Sequence, residues 1–153
     1  GASGLSNNAV TFAEDLNIIS ENDVAVFIYN SIVLNTSANI TAKNAAIMGN
    51  GQDARFPKIN VLDGNITSTD AAALYLPQKS GTTTISGGTF LGGLGGYEYV
   101  NGANDTPVFD KNNIAVSGGT FAEAPNDAFV ADGYEVQEKD GAYIVVKTQA
   151  AAD

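Results

Sequence analysis

The chain has 153 residues, 44% of them hydrophobic, enough for a core of its own and too apolar for a disordered segment. Seventeen acidic against seven basic residues give a formal charge of −10, which repels phosphate backbones and anionic bilayers, so neither nucleic acid nor membrane insertion is expected. Cysteine and histidine are both absent, which excludes disulfides, thiolate chemistry and the commonest general base and transition-metal ligand.

At the N-terminus, Gly1-Ala2-Ser3-Gly4 reads like a processed end or a cloning scar. Three short apolar runs follow: Ala9-Val10-Thr11-Phe12, Leu16-Asn17-Ile18-Ile19 and Val24-Ala25-Val26-Phe27-Ile28. Residues 1–30 are therefore assigned to an N-terminal cap or first rung. No apolar run approaches the ~20 residues that span a bilayer.

Residues 31–130 carry a repeat. Ile85-Ser86-Gly87-Gly88-Thr89-Phe90 returns as Val116-Ser117-Gly118-Gly119-Thr120-Phe121. Val61-Leu62-Asp63-Gly64-Asn65-Ile66 overlays both, with Gly64 on Gly88 and Ile66 on Phe90, and a looser copy runs from Val33 to Thr41. The closing apolar residues Ile40, Ile66, Phe90 and Phe121 are spaced 26, 24 and 31 residues apart. Behind each comes a second apolar stretch: Ala46-Ile47-Met48, Ala73 to Leu76, Gly96 to Val100, and Ala128-Phe129-Val130. The unit is strand, tight turn, strand, loop. So short a unit cannot bury its apolar side alone and must stack on its neighbours as a solenoid of parallel strands. The pairs Gly87-Gly88 and Gly118-Gly119 suit corners that need positive φ or close backbone approach; Asn35, Asn65 and Asn113 are expected at similar bends.

The long spacing points to an insertion. Gly92 to Gly96 and Asn101 to Pro107 are glycine- and turn-rich, so one rung should carry an enlarged loop. Residues 131–147 read as a hairpin, two alternating strands joined at Asp140-Gly141, which would cap the open end. Residues 148–153 read as a tail.

The Ser-Gly-Gly-Thr-Phe copies, Ala73-Leu74-Tyr75-Leu76-Pro77-Gln78, and the closing run from Val130 to Val136 with its hairpin resemble segments of the pectate-lyase-like parallel β-helices found in large surface proteins of gut Firmicutes and in phage virion proteins. Over residues 30 to 147 the resemblance implies an all-β fold: a single-stranded right-handed parallel β-helix of about five coils with a C-terminal hairpin cap. It also implies an extracellular, cell-surface or virion setting, with host or mucosal glycans or another surface protein as partners, and a homo-oligomer is compatible with it.

Such helices include polysaccharide lyases and hydrolases, so catalysis has to be weighed. Glycoside hydrolysis needs two carboxylates roughly 5–9.5 Å apart. The central rungs offer only Asp53, Asp63 and Asp70, with Arg55 beside Asp53, and the positions stacked on Asp63 are Gly87 and Gly118. They read as turn aspartates, and no catalytic residue is assigned. Asn104-Asp105 and Asp110 offer oxygen donors, but in no calcium-loop spacing, so neither metal nor cofactor is expected. Four Asn-X-Ser/Thr triplets, at Asn35, Asn39, Asn65 and Asn104, fit the glycosylation rule and read as turn residues. Sugar recognition is the better candidate, because aromatic rings stack on sugar C–H faces while amides and carboxylates bond hydroxyls. Tyr97, Glu98, Tyr99, Asn101, Asn104 and Asp105 cluster in the insertion, with Tyr75 one coil earlier. The competing reading puts alternate residues of Tyr97 to Val100 in the core.

The expectation is a non-enzymatic surface solenoid serving as a structural, decoration or adhesion element. A polysaccharide-degrading enzyme and a phage fibre or capsid-decoration protein are the alternatives.

Overall fold

Alternation of apolar and polar residues at period two sets one face of each short run inward, and the computed structural model stacks these runs rung upon rung. It describes residues 8–29, 31–50, 57–77, 82–100 and 103–149, with the backbone alone for 99, 100 and 103–105. The first passage is β1 (Ala9–Phe12), β2 (Asn17–Ser20) and β3 (Val26–Ile28). The second is β4 (Val33–Thr36), β5 (Asn39–Ala42) and β6 (Ile47–Gly49), and the third is β7 (Lys58–Val61), β8 (Asn65–Ser68) and β9 (Leu74–Pro77). The fourth is β10 (Thr83–Ile85), β11 (Thr89–Leu91) and β12 (Leu94–Val100). After β13 (Ala103–Pro107) come β14 (Ile114–Val116) and β15 (Thr120–Phe121), then the hairpin β16 (Tyr134–Lys139) and β17 (Ala142–Lys147).

Three sheets result. Sheet A is β1-β4-β7-β10-β14, sheet B is β2-β5-β8-β11-β15 extended by β17 and β16, and sheet C is β3-β6-β9-β12 closed by β13. All pairs between successive passages are parallel, which makes the fold a parallel β-solenoid. Sheets A, B and C rise together only from the first passage to the fourth, about three turns, fewer than the roughly five coils expected. Beyond them the fifth passage lacks a third strand. Val130 makes a single parallel bridge to Val116 and the preceding Asp127–Phe129 is a 3-10 turn, so the strand expected at Ala128-Phe129-Val130 does not form. Asn126 caps that turn by accepting from the Ala128 N–H, which diverts the chain from extended geometry.

The core is a set of vertical columns. Ile18, Ile40, Ile66, Phe90 and Phe121 stand in register in sheet B, as the spacing of the closing residues requires. The Phe90 and Phe121 rings stack at 4.8 Å and 11°, both buried. Phe12, Thr36, Val61, Ile85 and Val116 form a column in sheet A, and Val26, Ile47, Leu74 and Leu94 form one in sheet C.

The two glycines of each pair do different work. Gly88 adopts φ 96°, a region that L side chains avoid. Gly87 lies so close to the Leu62 carbonyl that a Cβ would overlap it. Gly118 and Gly119 repeat this division, with Gly119 at φ 95° and Gly118 pressed on the Ser86 backbone, and Gly64 at φ 95° heads the column.

Asn35 and Asn65 are not at bends: they lie in β4 and β8. Their carboxamides join ladders between rungs. Asn60 Nδ2 donates to Asn35 Oδ1 at 2.8 Å and Thr84 Oγ1 donates to Asn60 Oδ1 at 2.7 Å. Asn39 Nδ2 donates to Asn17 Oδ1 at 3.1 Å, and Asn65 Nδ2 to Asn39 Oδ1 at 2.9 Å. Stacked identical amides satisfy one another at the strand repeat of about 4.8 Å, so Asn is favoured within the strand here. Asn113 alone of the three sits in a turn, and it is fully buried.

The hairpin forms as the sequence suggests. Asp140 and Gly141 both have positive φ, 54° and 81°, the combination of a type I′ turn. β17 pairs antiparallel with β15, setting Tyr143 opposite Phe121 and covering the last edge of sheet B.

Candidate ligand-binding surface

The candidate surface is the outward face of sheet C. Because Val26, Ile47, Leu74 and Leu94 point inward, the residue after each points outward. That column is Phe27, Met48, Tyr75 and Gly95, in register from β3 to β12. Phe27 is 52% exposed, while Met48 and Tyr75 are half-buried. Tyr29, also exposed, tilts against Phe27 with centroids 6.3 Å apart. The result is an apolar, aromatic strip on a rigid support, the composition that suits the C–H face of a sugar.

The glycine-rich Gly92–Gly96 stretch, expected as loop, turns at Gly92 (φ 101°) and then enters β12 at Leu94. Packing explains the glycines in the strand. A Cβ on Gly95 would lie 2.8 Å from the Tyr75 ring, and one on Gly96 would overlap the Val108 carbonyl. Of the other half of the insertion, Ala103–Pro107 is also strand: β12 and β13 pair antiparallel, with a register shift between Glu98 and Tyr99.

This arrangement sorts the residues singled out for sugar contact. Tyr97 is only 3% exposed: its ring stacks on Tyr75 at 4.5 Å and 14°, and its hydroxyl donates to the Gly49 carbonyl at 2.5 Å. Its ring face is covered, so Tyr97 packs and does not present itself to a ligand. It holds Tyr75 in place instead. Glu98 is half-buried in β12, opposite Thr106. The backbone of Tyr99 pairs with Asn104, and the side chains of Tyr99, Asn104 and Asp105 are outside the described residues, as is the whole of Asn101. Phe27 and Met48 went unread as site residues. Their signal was present, since each follows the inward residue of its strand by one position.

The carboxylates weighed for catalysis do not converge among the described residues. Asp63 is exposed and accepts from the N–H of Gly64 at 2.9 Å, a turn contact. Asp70 is exposed at another corner, and Asp53 and Arg55 lie outside the described residues. Two carboxyls are held below the usual range. Asp23 is lowered chiefly by the Asn44 amide, which donates to it at 2.9 Å. Asp132 is lowered by the hydrogen bond and then the charge of Lys111. Both are fully solvent-exposed at corners, where such pairing is a local tether. Among the described residues no group of three or more acidic side chains is placed to hold a metal, and no helix is long and apolar enough to cross a membrane.

Comparison with protein-family models, curated proteins and solved structures returns no match, so fold and surface stand on the chain's own geometry.

Proposed function

We propose that the chain is a non-enzymatic β-solenoid module of a cell or virion surface, a structural and adhesive element that holds glycan against the outward face of sheet C. The observation that carries this reading is the in-register column Phe27, Met48 and Tyr75, with Tyr75 braced by the buried Tyr97. A braced ring loses little freedom on binding, so more of the stacking energy is retained as affinity. The resemblance to surface β-helices supports the setting, and the acidic charge suits a neutral or cationic glycan better than a sulfated one.

A glycan array followed by titration tests it. Tyr75→Ala and Phe27→Ala should each weaken binding about tenfold, the scale of one lost aromatic contact. Thermal melting of the same variants controls for folding. Unchanged affinity in both variants would remove sheet C from the proposal. Release of reducing sugar that is lost in Asp63→Asn would establish the enzyme reading instead, and a stable trimer in sedimentation with no glycan bound would favour a fibre or decoration protein.

A further inference from the structure

Two of the Asn-X-Thr triplets take a regular place in the fold. Asn39-Ile40-Thr41 lies in β5 and Asn65-Ile66-Thr67 in β8, and in each the isoleucine is buried while the two polar residues face outward. β11 repeats the arrangement, with Thr89 and Leu91 on either side of the buried Phe90. In register these give two outward columns on sheet B, one of Asn39, Asn65, Thr89 and Thr120, the other of Thr41, Thr67 and Leu91. Asn17 and Ile19 continue them on β2.

The array is fixed and uncharged. Asn65 donates to Asn39 Oδ1 from Nδ2 at 2.9 Å and from its backbone N–H at 3.1 Å, and Asn39 Nδ2 donates to Asn17 Oδ1, so the amides hold one another's orientation. Among the described residues the hydroxyls of Thr41, Thr67 and Thr89 hold no hydrogen-bond partner and are left for water. Glu14, Asp15 and Asp63 flank the columns at one corner, and Glu21, Asp23, Lys43, Asp70 and Glu123 at the other. The hairpin beyond β15 brings charge back with Glu135 and Lys139, but neither column carries a charge from β2 to β15. In a chain of net charge −10 such a face suits a neutral partner. Its columns hold no aromatic ring, so they lack the stacking surface that sheet C presents to a sugar.

Spacing narrows the choice. Rungs repeat at about 4.8 Å and alternate residues along a strand at about 6.6 Å, both within about a tenth of the oxygen repeats on the prism face of ice, about 4.5 and 7.4 Å. Side-chain ladders also hold a sheet flatter than the usual twist. Hydroxyls and amides set at these intervals order a first water layer in the pattern of the lattice, while the threonine methyls and Leu91 shed water that does not fit it. We infer that the outward face of sheet B binds ice, as a planar template for ordered water. This surface is separate from the outward face of Tyr75, and the inference does not depend on glycan binding.

The test freezes a solution of the 153-residue chain slowly beside an unrelated protein of similar size and measures the share of each that enters the ice. The parent should be enriched over the bystander. Thr67→Lys and Thr41→Lys should each lower that enrichment about tenfold, because the ammonium must lose its water to meet the lattice. Ala115→Lys puts the same charge on the outward face of sheet A, beside the buried Ile114, and should leave the enrichment unchanged. Thermal melting checks that all three variants fold. A parent no more enriched than the bystander, equal losses in all three variants, or no loss in the two sheet B variants would overturn the proposal. So would a parent that stays out of the ice yet sediments with powdered cellulose and loses this in Thr67→Lys, because the array would then serve a crystalline polysaccharide.

Discussion

Thr36 and Thr83 show how much a single buried hydroxyl depends on its partner. Both are fully buried and both point into the column space of sheet A. The Thr36 Oγ1 accepts from the Ala38 N–H at 3.2 Å at the corner before β5. The Thr83 Oγ1 has no partner, and neither does the amide of Asn113, which packs against Gly96. Valine matches threonine in shape, so the exchange isolates the hydroxyl. Thr36→Val leaves a backbone donor unmatched and should cost about 1–3 kcal/mol, whereas Thr83→Val removes an unmatched group and should stabilise by up to ~1 kcal/mol. Urea midpoints of the two variants against the parent check the opposite signs. A loss in Thr83→Val equal to that in Thr36→Val would mean that an internal water bridges Thr83 and Asn113.

At the scale of the element, the corner between sheets A and B is where the repeat is strictest, and its glycines should rank by what surrounds them. Gly64 and Gly88 share φ near 95°, a backbone strain of about 1–2 kcal/mol for any L side chain. At Gly88 the nearest backbone oxygen would lie 3.2 Å from an added Cβ, a tight fit, while at Gly64 the Ala38 carbonyl would overlap it outright. Gly88→Ala should therefore lose only the strain energy, and Gly64→Ala should lose more, read as a larger drop in urea midpoint. Equal losses would show that the backbone at Ala38 yields freely. From the third passage to the fifth this corner was legible in the sequence because Gly64, Gly88 and Gly119 take a positive φ that favours glycine, although the second passage turns through Ser37-Ala38, and the closing column was legible because each rung must supply one inward apolar residue. Sheet C was less so. Its fourth strand starts at Leu94, inside a run of glycines whose role is to fit beneath Tyr75 and beside Val108. The sequence leaves Tyr97 open between a ligand-facing ring and a core residue, and the choice rests on its acceptor, Gly49, which comes within reach from 48 residues away. Contacts of that range leave no local pattern. The asparagine ladders failed for a related reason: each Asn is an ordinary turn former alone, and only the stacked register makes it a strand residue.

The whole molecule behaves as a short one-dimensional stack, and its stability should be graded along the axis. Strand pairing joins each passage only to the ones above and below it, so among the described residues a middle rung has two paired neighbours while the first has one. Buried residues follow the same gradient: Ile40, Ile47, Ile59, Ile66 and Leu74 are wholly buried, while Phe12, Ile18 and Val26 of the first rung are only partly so. The far end differs, since β17 pairs over Phe121 and Val145 of the same hairpin is only 4% exposed. Opening by fraying should thus proceed from the β1–β3 end, not symmetrically. Native-state hydrogen exchange measures this directly. Amides of Ile59, Ile66 and Leu74 should exchange near the global unfolding limit, those of Phe121 and Val145 nearly as slowly, and those of Val10, Ile18 and Val26 faster by an order of magnitude or more, as expected for sub-global opening. Uniform protection would mean that three turns unfold as one unit and that the first rung is no weaker than the last.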